Sequence, residues 1–353
     1  MPGPLGTSRK MIETDWRPPG SWTRLKTIES HAAGEPLRIV TEGWPEIPGK
    51  TMLSKRRYAK KNHDHLRRIL LREPRGHTNM YGAIMTEPVT NDGDLGVLFV
   101  HNEGFSTMCG HGVIALVTSL IETGKIPADG PNPTIRLDTP AGRVTAKARI
   151  RGGMVKGVAF ENVPSFVYAK DRSVEVEGIG PLRYDVVFGG AFYAYCRAED
   201  LKVELVPRES RRIVELGMRV KLAVMKQMSI RHPVEDDLGF LYGTIISGKA
   251  GSASARIRNV CVFADGQIDR SPTGTGVSGH VALEYDKKTL KIGRRLVVES
   301  ILGTRFKGRA LRTTTVGEYA AVVPEIEGSA WTSGRSEFWL DPSDPIRDGF
   351  IIE

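Results

Sequence analysis

The chain has 353 residues, of which 40% are hydrophobic, a length and composition typical of a soluble globular protein with two domains. It contains no run of about 18 apolar residues and no apolar signal core at the N-terminus, so we expect a cytoplasmic protein without a membrane partner. Its three cysteines, at positions 109, 196 and 261, are too few for a disulfide framework.

The net charge of +9 is concentrated in one segment, because residues 55–75 contain nine Lys or Arg and only two Asp or Glu. Such a cluster occurs in nucleic-acid-binding patches and on the solvated faces of helices. We favour a helix, with Tyr58, Leu66 and Leu70 among the residues directed inward. The aromatic residues that single-stranded nucleic acids stack on are not interleaved with these cations, so we expect no nucleic-acid partner.

In chain order, residues 1–20 are rich in Gly, Pro and polar side chains and predict a disordered tail. The first half then predicts a loop at 30–36, a basic helix at 53–71, and strands at 24–29, 37–40, 81–86, 95–100, 134–137, 144–150 and 155–161. Residues 162–164, Asn-Val-Pro, predict a hinge to the second half.

The second half repeats this organisation. It predicts a close-approach loop at 189–193, a long helix at 210–232, and strands at 173–176, 184–188, 194–196, 240–247, 256–264, 296–299, 304–311 and 319–324. Residues 337–340 predict a last strand that returns to the first half.

Cys109 stands directly before a predicted helix that is apolar nearly all round, from Val113 to Ile121, and that ends at Gly124. A thiol at this place faces unpaired backbone N–H groups and the positive end of the helix dipole. Both favour the thiolate, the form that can remove a proton.

The same arrangement recurs in the second half. Cys-Gly-His-Gly-Val at 109–113 aligns with Thr-Gly-Thr-Gly-Val at 273–277, and each stretch follows a strand and opens an apolar helix. We infer an internal duplication in which each half presents a helix N-terminus to one shared site. The glycines let backbone N–H groups approach a small anion, so two such helix starts can hold a carboxylate with the thiolate beside its α-carbon. That geometry suits removal of a proton α to a carboxylate.

Other interpretations of these residues stay open at this point. Taken alone, a cysteine such as Cys109 is more often a buried structural thiol than a catalyst. Cys196 and Cys261 lie in apolar strands, where we expect core residues. Asp269 is either an N-terminal cap or the partner of a substrate ammonium group.

Two further sites are not supported by the sequence. Residues 274–279 match G-x-G-x-x-G, but residues 265–273 separate these glycines from the preceding strand, whereas a dinucleotide site needs them directly after it. Cys109 and His111 form one short pair without a second pair at metal-ligand spacing, so we predict no metal site.

Many stretches of the chain, in one consistent order, resemble the proline racemase family between about Ile28 and Phe350. They are Ser30-His31 with Gly34-Glu35-Pro36, Glu73 to His77, Met80 to Ala83, Asn102 to Gly104, Met108 to His111, Gly189-Gly190 with Phe192-Tyr193, Asp269 to Pro272 with Gly274 to Gly276, and Gly303 to Phe306 with Gly308.

The resemblance implies an α/β (α+β) fold similar to diaminopimelate epimerase. Two pseudo-symmetric halves each wrap a sheet around a central helix, and the active site lies in the cleft between them. On this basis residues 21–164 with 328–353 form the first half, which carries Cys109, and residues 165–327 form the second half, which carries Thr273.

Racemases and epimerases of the family carry a cysteine at both helix starts. The combination of Cys109 with Thr273 is similar instead to the trans-3-hydroxy-L-proline dehydratase branch. A threonine hydroxyl is too weak an acid or base for two-base racemisation. The resemblance therefore implies a cofactor-independent hydro-lyase: Cys109 removes the α-proton of an imino acid and hydroxide leaves the neighbouring carbon, which gives pyrroline-2-carboxylate.

Carried over to this sequence, the resemblance assigns the remaining roles. Backbone N–H groups of Gly110, His111, Gly274 and Thr275 bind the substrate carboxylate, His111 with Asp269 holds the ring nitrogen, and Thr273 shapes the second face. The proton donor to the departing hydroxide stays open between Thr273, a water and a histidine.

Two departures from the family pattern qualify these expectations. Ala32-Ala33 replaces Thr-Gly in a loop near the cleft, and Ser278-Gly279-His280 replaces Ser-Ala-Arg in the second helix. Two other functions also stay open: a racemase or epimerase with an unusual second acid, and a non-catalytic imino-acid binding protein. A homodimer is compatible with the sequence.

Overall fold

The fold is that of a computed structural model, which describes residues 16–352. Residues 1–15, most of the tail predicted from the sequence, lie outside the described residues, as does Glu353. Trp16 already packs against the body of the protein, since its ring lies 5.2 Å from that of Trp339.

The first half of the sequence contributes two outer helices, one central helix and a run of strands. Its elements are β1 (Thr23–Ala32), β2 (Glu35–Glu42), α1 (Met52–Asn62), α2 (Asp64–Leu71), β3 (Tyr81–Thr86), β4 (Leu95–His101), α3 (Gly110–Glu122), β5 (Thr134–Thr139), β6 (Gly142–Arg151) and β7 (Met154–Glu161).

The second half of the sequence contributes one outer helix, one central helix and further strands, the last of which returns to the first structural half. Its elements are β8 (Ser165–Val176), β9 (Gly180–Phe188), β10 (Phe192–Arg197), α4 (Ser210–Gln227), β11 (Leu241–Lys249), β12 (Ile257–Phe263), β13 (Gln267–Ile268), α5 (Gly274–Asp286), β14 (Leu296–Glu299), β15 (Arg305–Val316), β16 (Tyr319–Gly328) and β17 (Ala330–Leu340). Short 3-10 turns lie at Pro207–Glu209 and Asp236–Leu238.

The strand order shows the duplication inferred from the sequence. In the first half the strands run β17-β1-β2-β3-β4-β5-β6-β7, and in the second β8-β9-β10-β11-β12-β14-β15-β16. The parallel pairs fall at equivalent places, β2/β3 and β4/β5 against β10/β11 and β12/β14. The central helix α3 connects β4 to β5, and α5 connects β12 to β14, because two parallel strands need a crossover connection.

The central position of α3 and α5 explains why their sequences are apolar. Residues 110–120 of α3 and 274–283 of α5 are buried without interruption, because each half curls its strands around its helix. One hydrophobic core runs through both halves and contains Val113, Leu116, Val277 and Val281. The predicted twin-half architecture is confirmed.

The two halves are joined through strands that cross between them. Residues 325–328 of β16 pair with β7, while Ala321 and Val322 pair with β8. β17 then returns to pair with β1 along its length, which confirms the predicted return of residues 337–340 to the first half.

Three local predictions differ from the structure. The basic helix is broken at His63, whose backbone (φ −127°, ψ 13°) leaves the helical region, and Tyr58 stays 37% exposed. The helix predicted for 210–232 ends at Gln227, because Met228 is extended. The loop at 30–36 is a two-residue turn, since β1 and β2 pair as far as Ala32 and Glu35.

Many cations of the basic segment are used inside the protein. Arg67 donates to the carbonyl oxygens of His101 and Asn102, and Arg56 donates to the carbonyl oxygen of Phe105. These bonds fasten α1 and α2 to the loop after β4. Among residues 16–352, no helix combines the length and apolarity needed to cross a bilayer.

Candidate active site

The two helix starts predicted to share a site meet at the centre of the molecule. α3 begins at Gly110 and α5 at Gly274, and a Cβ added to Gly110 would lie 2.4 Å from Gly274 Cα. Glycine is required at both positions for so close an approach. Because the first N–H groups of a helix have no acceptor within it, the contact brings two sets of free donors and two positive dipole ends together.

Cys109 occupies the N-cap of α3 in an ordinary extended conformation (φ −146°, ψ 115°). Its Sγ accepts the N–H of Gly112 at 3.3 Å and lies 3.1 Å from His111 Nδ1. Burial raises the pKa of Cys109 well above its ordinary value, and the Gly112 N–H only partly offsets this. The helix start thus acts on Cys109 in the expected direction, but burial outweighs it, so a further positive charge is needed to favour the thiolate.

Thr273 occupies the equivalent position before α5 but breaks the symmetry. Its backbone has φ 59° and ψ 99°, a strained conformation for a β-branched residue. The loop imposes it: Thr273 N–H donates to Ser271 Oγ at 3.0 Å, and its hydroxyl donates to Asp269 Oδ2 at 2.8 Å. The hydroxyl thus makes no cap bond to its own helix, unlike Cys109.

Asp269 organises the loop that precedes α5. Its Oδ1 accepts the Ser271 N–H at 2.7 Å while its Oδ2 holds the Thr273 hydroxyl, so Asp269 does not cap the helix directly. Its Oδ2 also lies 4.0 Å from His111 Nδ1. The structure thereby brings together Cys109, His111, Asp269 and Thr273, as the sequence analysis expects.

His111 is held between the two halves. Burial lowers the pKa of His111 below its ordinary value, although the Asp269 carboxylate acts in the opposite direction. The Pro36 carbonyl also acts to raise the pKa of His111, and the Tyr81 ring packs edge-on against the imidazole at 4.8 Å. The neutral imidazole is therefore the favoured form.

A small cavity lies between the helix starts, with a free volume of about 20 Å³, room for about one water. Its walls are Tyr81, Met108, Cys109, Gly110, His111, Tyr193, Tyr242, Cys261, Phe263, Asp269, Thr273, Gly274 and Thr275. All seven predicted site residues belong to this wall. An imino acid needs more room than this volume, so we expect the cleft to widen when one binds.

Four polar wall residues escape the prediction from sequence. Tyr193 shares a hydrogen bond of 2.7 Å with Thr275 Oγ1, and the hydroxyls of Tyr81 and Tyr242 lie 3.4 Å apart. Cys261 is fully buried, as expected, yet its thiol faces the cavity near the Thr273 hydroxyl. These residues come from strands that contact the helix starts only in the fold, and the sequence signals are the family stretches that contain Tyr81 and Tyr193.

A buried carboxyl links the two halves beside the site. Glu35 Oε2 accepts the Arg270 N–H across the cleft at 2.8 Å, whereas Glu35 Oε1 has no partner among the described residues. Burial raises the pKa of Glu35 well above its ordinary value, and the Asp269 charge adds to this effect. The Arg270 guanidinium and the Arg270 N–H act in the opposite direction without reversing the shift.

The G-x-G-x-x-G match of α5 serves packing. A Cβ at Gly279 would lie 2.0 Å from the Tyr195 hydroxyl, which donates to the Gly276 carbonyl at 2.9 Å. The close-approach loop packs on the same helix, since a Cβ at Gly189 would lie 2.2 Å from the Thr275 carbonyl oxygen.

The fold and site define a class of pseudo-symmetric proteins whose halves close over two facing helix starts, one of which carries a cysteine. The family model described as proline racemase matches residues 27–351. The chain therefore belongs to the proline racemase family, as the resemblance in the sequence implied.

Individual relatives cover nearly the whole chain. A protein of Colwellia psychrerythraea named trans-3-hydroxy-L-proline dehydratase is 43% identical over 94% of this chain and 94% of its own length. A Burkholderia multivorans protein named 3-hydroxyproline 2-epimerase is 43% identical over 93% of this chain and 98% of its own. The crystal structure of an Agrobacterium vitis hydroxyproline epimerase with bound trans-4-hydroxy-L-proline superposes with a TM-score of 0.90, at 28% identity, covering 94% of this chain and 96% of that one.

Proposed function

We propose that this protein is a trans-3-hydroxy-L-proline dehydratase, a hydro-lyase that removes the α-proton and the 3-hydroxyl as water to give pyrroline-2-carboxylate. One observation carries the proposal: the cavity has a thiol at one helix start and, at the other, a threonine whose hydroxyl is committed to Asp269. The name of the Colwellia relative supports it.

The helix starts provide the binding site for the carboxylate. In the open cleft, the N–H groups of Gly110, His111, Gly274 and Thr275 face the anion, and the two dipoles add their positive ends. Charge that develops on the carboxylate after loss of the α-proton is stabilised by the same donors. Asp269 and His111 hold the ring nitrogen, whose positive charge favours the Cys109 thiolate that burial alone disfavours.

The reaction then needs only one base. Cys109 Sγ takes the α-proton, and the electron pair left on the α-carbon forms a double bond to the neighbouring carbon as the C–O bond of the 3-hydroxyl breaks. The resulting enamine tautomerises to the imine. Thr273 closes the second face and does not supply a second acid, because its hydroxyl proton is held by Asp269.

A second candidate is 2-epimerisation of a 3-hydroxyproline. It is favoured by the name of the Burkholderia relative and by the position of Cys261, a second thiol on the Thr273 side of the cavity. An epimerase would use Cys261 to return a proton to the opposite face of the ring.

The test is turnover of trans-3-hydroxy-L-proline, trans-4-hydroxy-L-proline and L-proline by wild type, Cys109→Ser and Cys261→Ser. Water loss from the 3-hydroxy compound alone, abolished in Cys109→Ser and kept in Cys261→Ser, supports the dehydratase. Inversion at the α-carbon that depends on both thiols supports the epimerase instead. Binding without turnover of any of the three would contradict both and leave a non-catalytic binding protein.

A further inference from the structure

The stereochemistry of the proposed substrate restricts where the leaving hydroxyl can find a proton. In trans-3-hydroxy-L-proline the hydroxyl and the carboxylate lie on opposite faces of the ring. The α-hydrogen also lies opposite the carboxylate, so it shares a face with the hydroxyl. If the proposed function holds, the base and the acid of the elimination must therefore act from the same side of the ring.

Cys109 and Tyr81 are neighbours on one side of the cavity. Tyr81 opens β3 in the first half, and both residues belong to the cavity wall. His111 Nδ1 lies 3.1 Å from Cys109 Sγ, and the Tyr81 ring packs on that imidazole, so the phenol and the thiol line the same part of the cavity. The Tyr81 ring is fixed by edge-on packing against His111 and by the Tyr242 hydroxyl at 3.4 Å.

Three other proton donors of the cavity are committed or lie on the far side. The Thr273 hydroxyl donates to Asp269, and Cys261 lies beside Thr273 in the second half. His111, neutral because burial lowers its pKa, has one N–H, and both Cys109 Sγ (3.1 Å) and Asp269 Oδ2 (4.0 Å) lie beside its Nδ1.

We propose that Tyr81 is the general acid of the dehydration and protonates the departing 3-hydroxyl. Cys109 Sγ takes the α-hydrogen as a proton, and the electron pair of the broken C–H bond stays on the α-carbon until it forms the carbon–carbon double bond. The C–O bond breaks, and the oxygen takes the proton of the Tyr81 hydroxyl to leave as water. The Cys109 thiol then returns its proton to the Tyr81 oxygen, so that thiolate and phenol are restored without any other reactant.

The electrostatics of the pair fit this order of events. Burial raises the pKa of Tyr81 well above its ordinary value, and the negative charge of the Cys109 thiolate raises it further. Tyr81 therefore keeps its proton while Cys109 is charged. When Cys109 takes the α-proton, that charge disappears and Tyr81 becomes more acidic at the moment when the hydroxyl leaves.

The test compares two rates in Tyr81→Phe, which removes only the hydroxyl. In D2O we expect water loss from trans-3-hydroxy-L-proline to fall by about 10²- to 10⁴-fold, the usual contribution of a general acid. Exchange of the α-hydrogen for deuterium, which needs Cys109 alone, should remain within about tenfold of wild type. Tyr184→Phe, which removes a buried hydroxyl outside the cavity, is the matched control and should not change either rate.

A second substrate separates acid catalysis from positioning. Chloride leaves without a proton, so Tyr81→Phe should eliminate it from trans-3-chloro-L-proline at nearly the wild-type rate. Dehydration by Tyr81→Phe at the wild-type rate would overturn the proposal. Equal losses in the rates of exchange, water elimination and chloride elimination would also overturn it. If wild type itself releases no water from the 3-hydroxy substrate, the proposed function fails instead, independently of Tyr81.

Discussion

The contact between Gly110 and Gly274 predicts that a single methyl group will separate the two halves of the site. In Gly110→Ala the new Cβ would lie 2.4 Å from Gly274 Cα and 2.9 Å from its carbonyl carbon. Unstrained carbon contacts begin at roughly 3.5 Å, so the helix starts must move apart by about 1 Å. Neither neighbour is a flexible side chain that can turn away.

That displacement should affect catalysis more than folding. Misplacement of a binding group by about 1 Å costs on the order of 100-fold in rate, whereas an overpacked methyl group costs about 1–3 kcal/mol of unfolding free energy. We therefore expect kcat/KM for trans-3-hydroxy-L-proline to fall about 100-fold in Gly110→Ala while the protein stays folded.

The assay pairs steady-state kinetics with urea unfolding of Gly110→Ala and of Gly334→Ala. A Cβ at Gly334 meets nothing within 4 Å, so this control should keep both activity and stability. A kcat/KM of Gly110→Ala within about threefold of wild type would refute the inference that the two helix starts jointly hold the substrate.

Three further predictions concern titration and strain. The folded-state pKa of Glu35 lies above its unfolded value, so the stabilisation from its proton is complete at low pH and is lost as the pH rises through the folded pKa. The side chain of Glu35→Gln is always neutral, so this variant should gain thermal stability relative to wild type between about pH 5 and 8. Melting temperatures of the two proteins that change in parallel over this range would contradict the prediction. Ala33 has φ 55°, a backbone conformation that favours glycine, so Ala33→Gly should raise the free energy of unfolding by about 0.5–1 kcal/mol in urea titrations. A lower free energy of unfolding in this variant would contradict the prediction. Since burial raises the pKa of Cys109, kcat/KM should increase with pH between about pH 6 and 9, whereas a plateau from pH 7 would show that the free enzyme already holds a thiolate.

The sequence is most informative where local pattern and duplication coincide. The two apolar helices and their glycine-flanked starts predict that both helix starts face one shared site, because a helix apolar on all sides must be central; the structure adds the contact of Gly110 with Gly274. The family stretches then assign the roles of Cys109 and Thr273. The break between α1 and α2 at His63 is not predicted, because the residues on both sides of it are typical of a helix.

The remaining part of the site depends on long-range packing. Tyr81, Tyr242 and Cys261 come from strands whose contacts with the helix starts arise from the strand order of each half. The raised pKa of Cys109 also follows from enclosure by both halves, which a helix seen alone does not reveal. The strained backbone of Thr273 likewise results from a loop held by Asp269 and Ser271.

The most direct test of the account follows trans-3-hydroxy-L-proline and wild-type enzyme in D2O by proton NMR. The account predicts that pyrroline-2-carboxylate accumulates and that no cis-3-hydroxy-D-proline, the product of inversion at the α-carbon, is formed. Accumulation of the cis-D compound without loss of water would contradict it, because a second proton donor would then act from the side of Thr273.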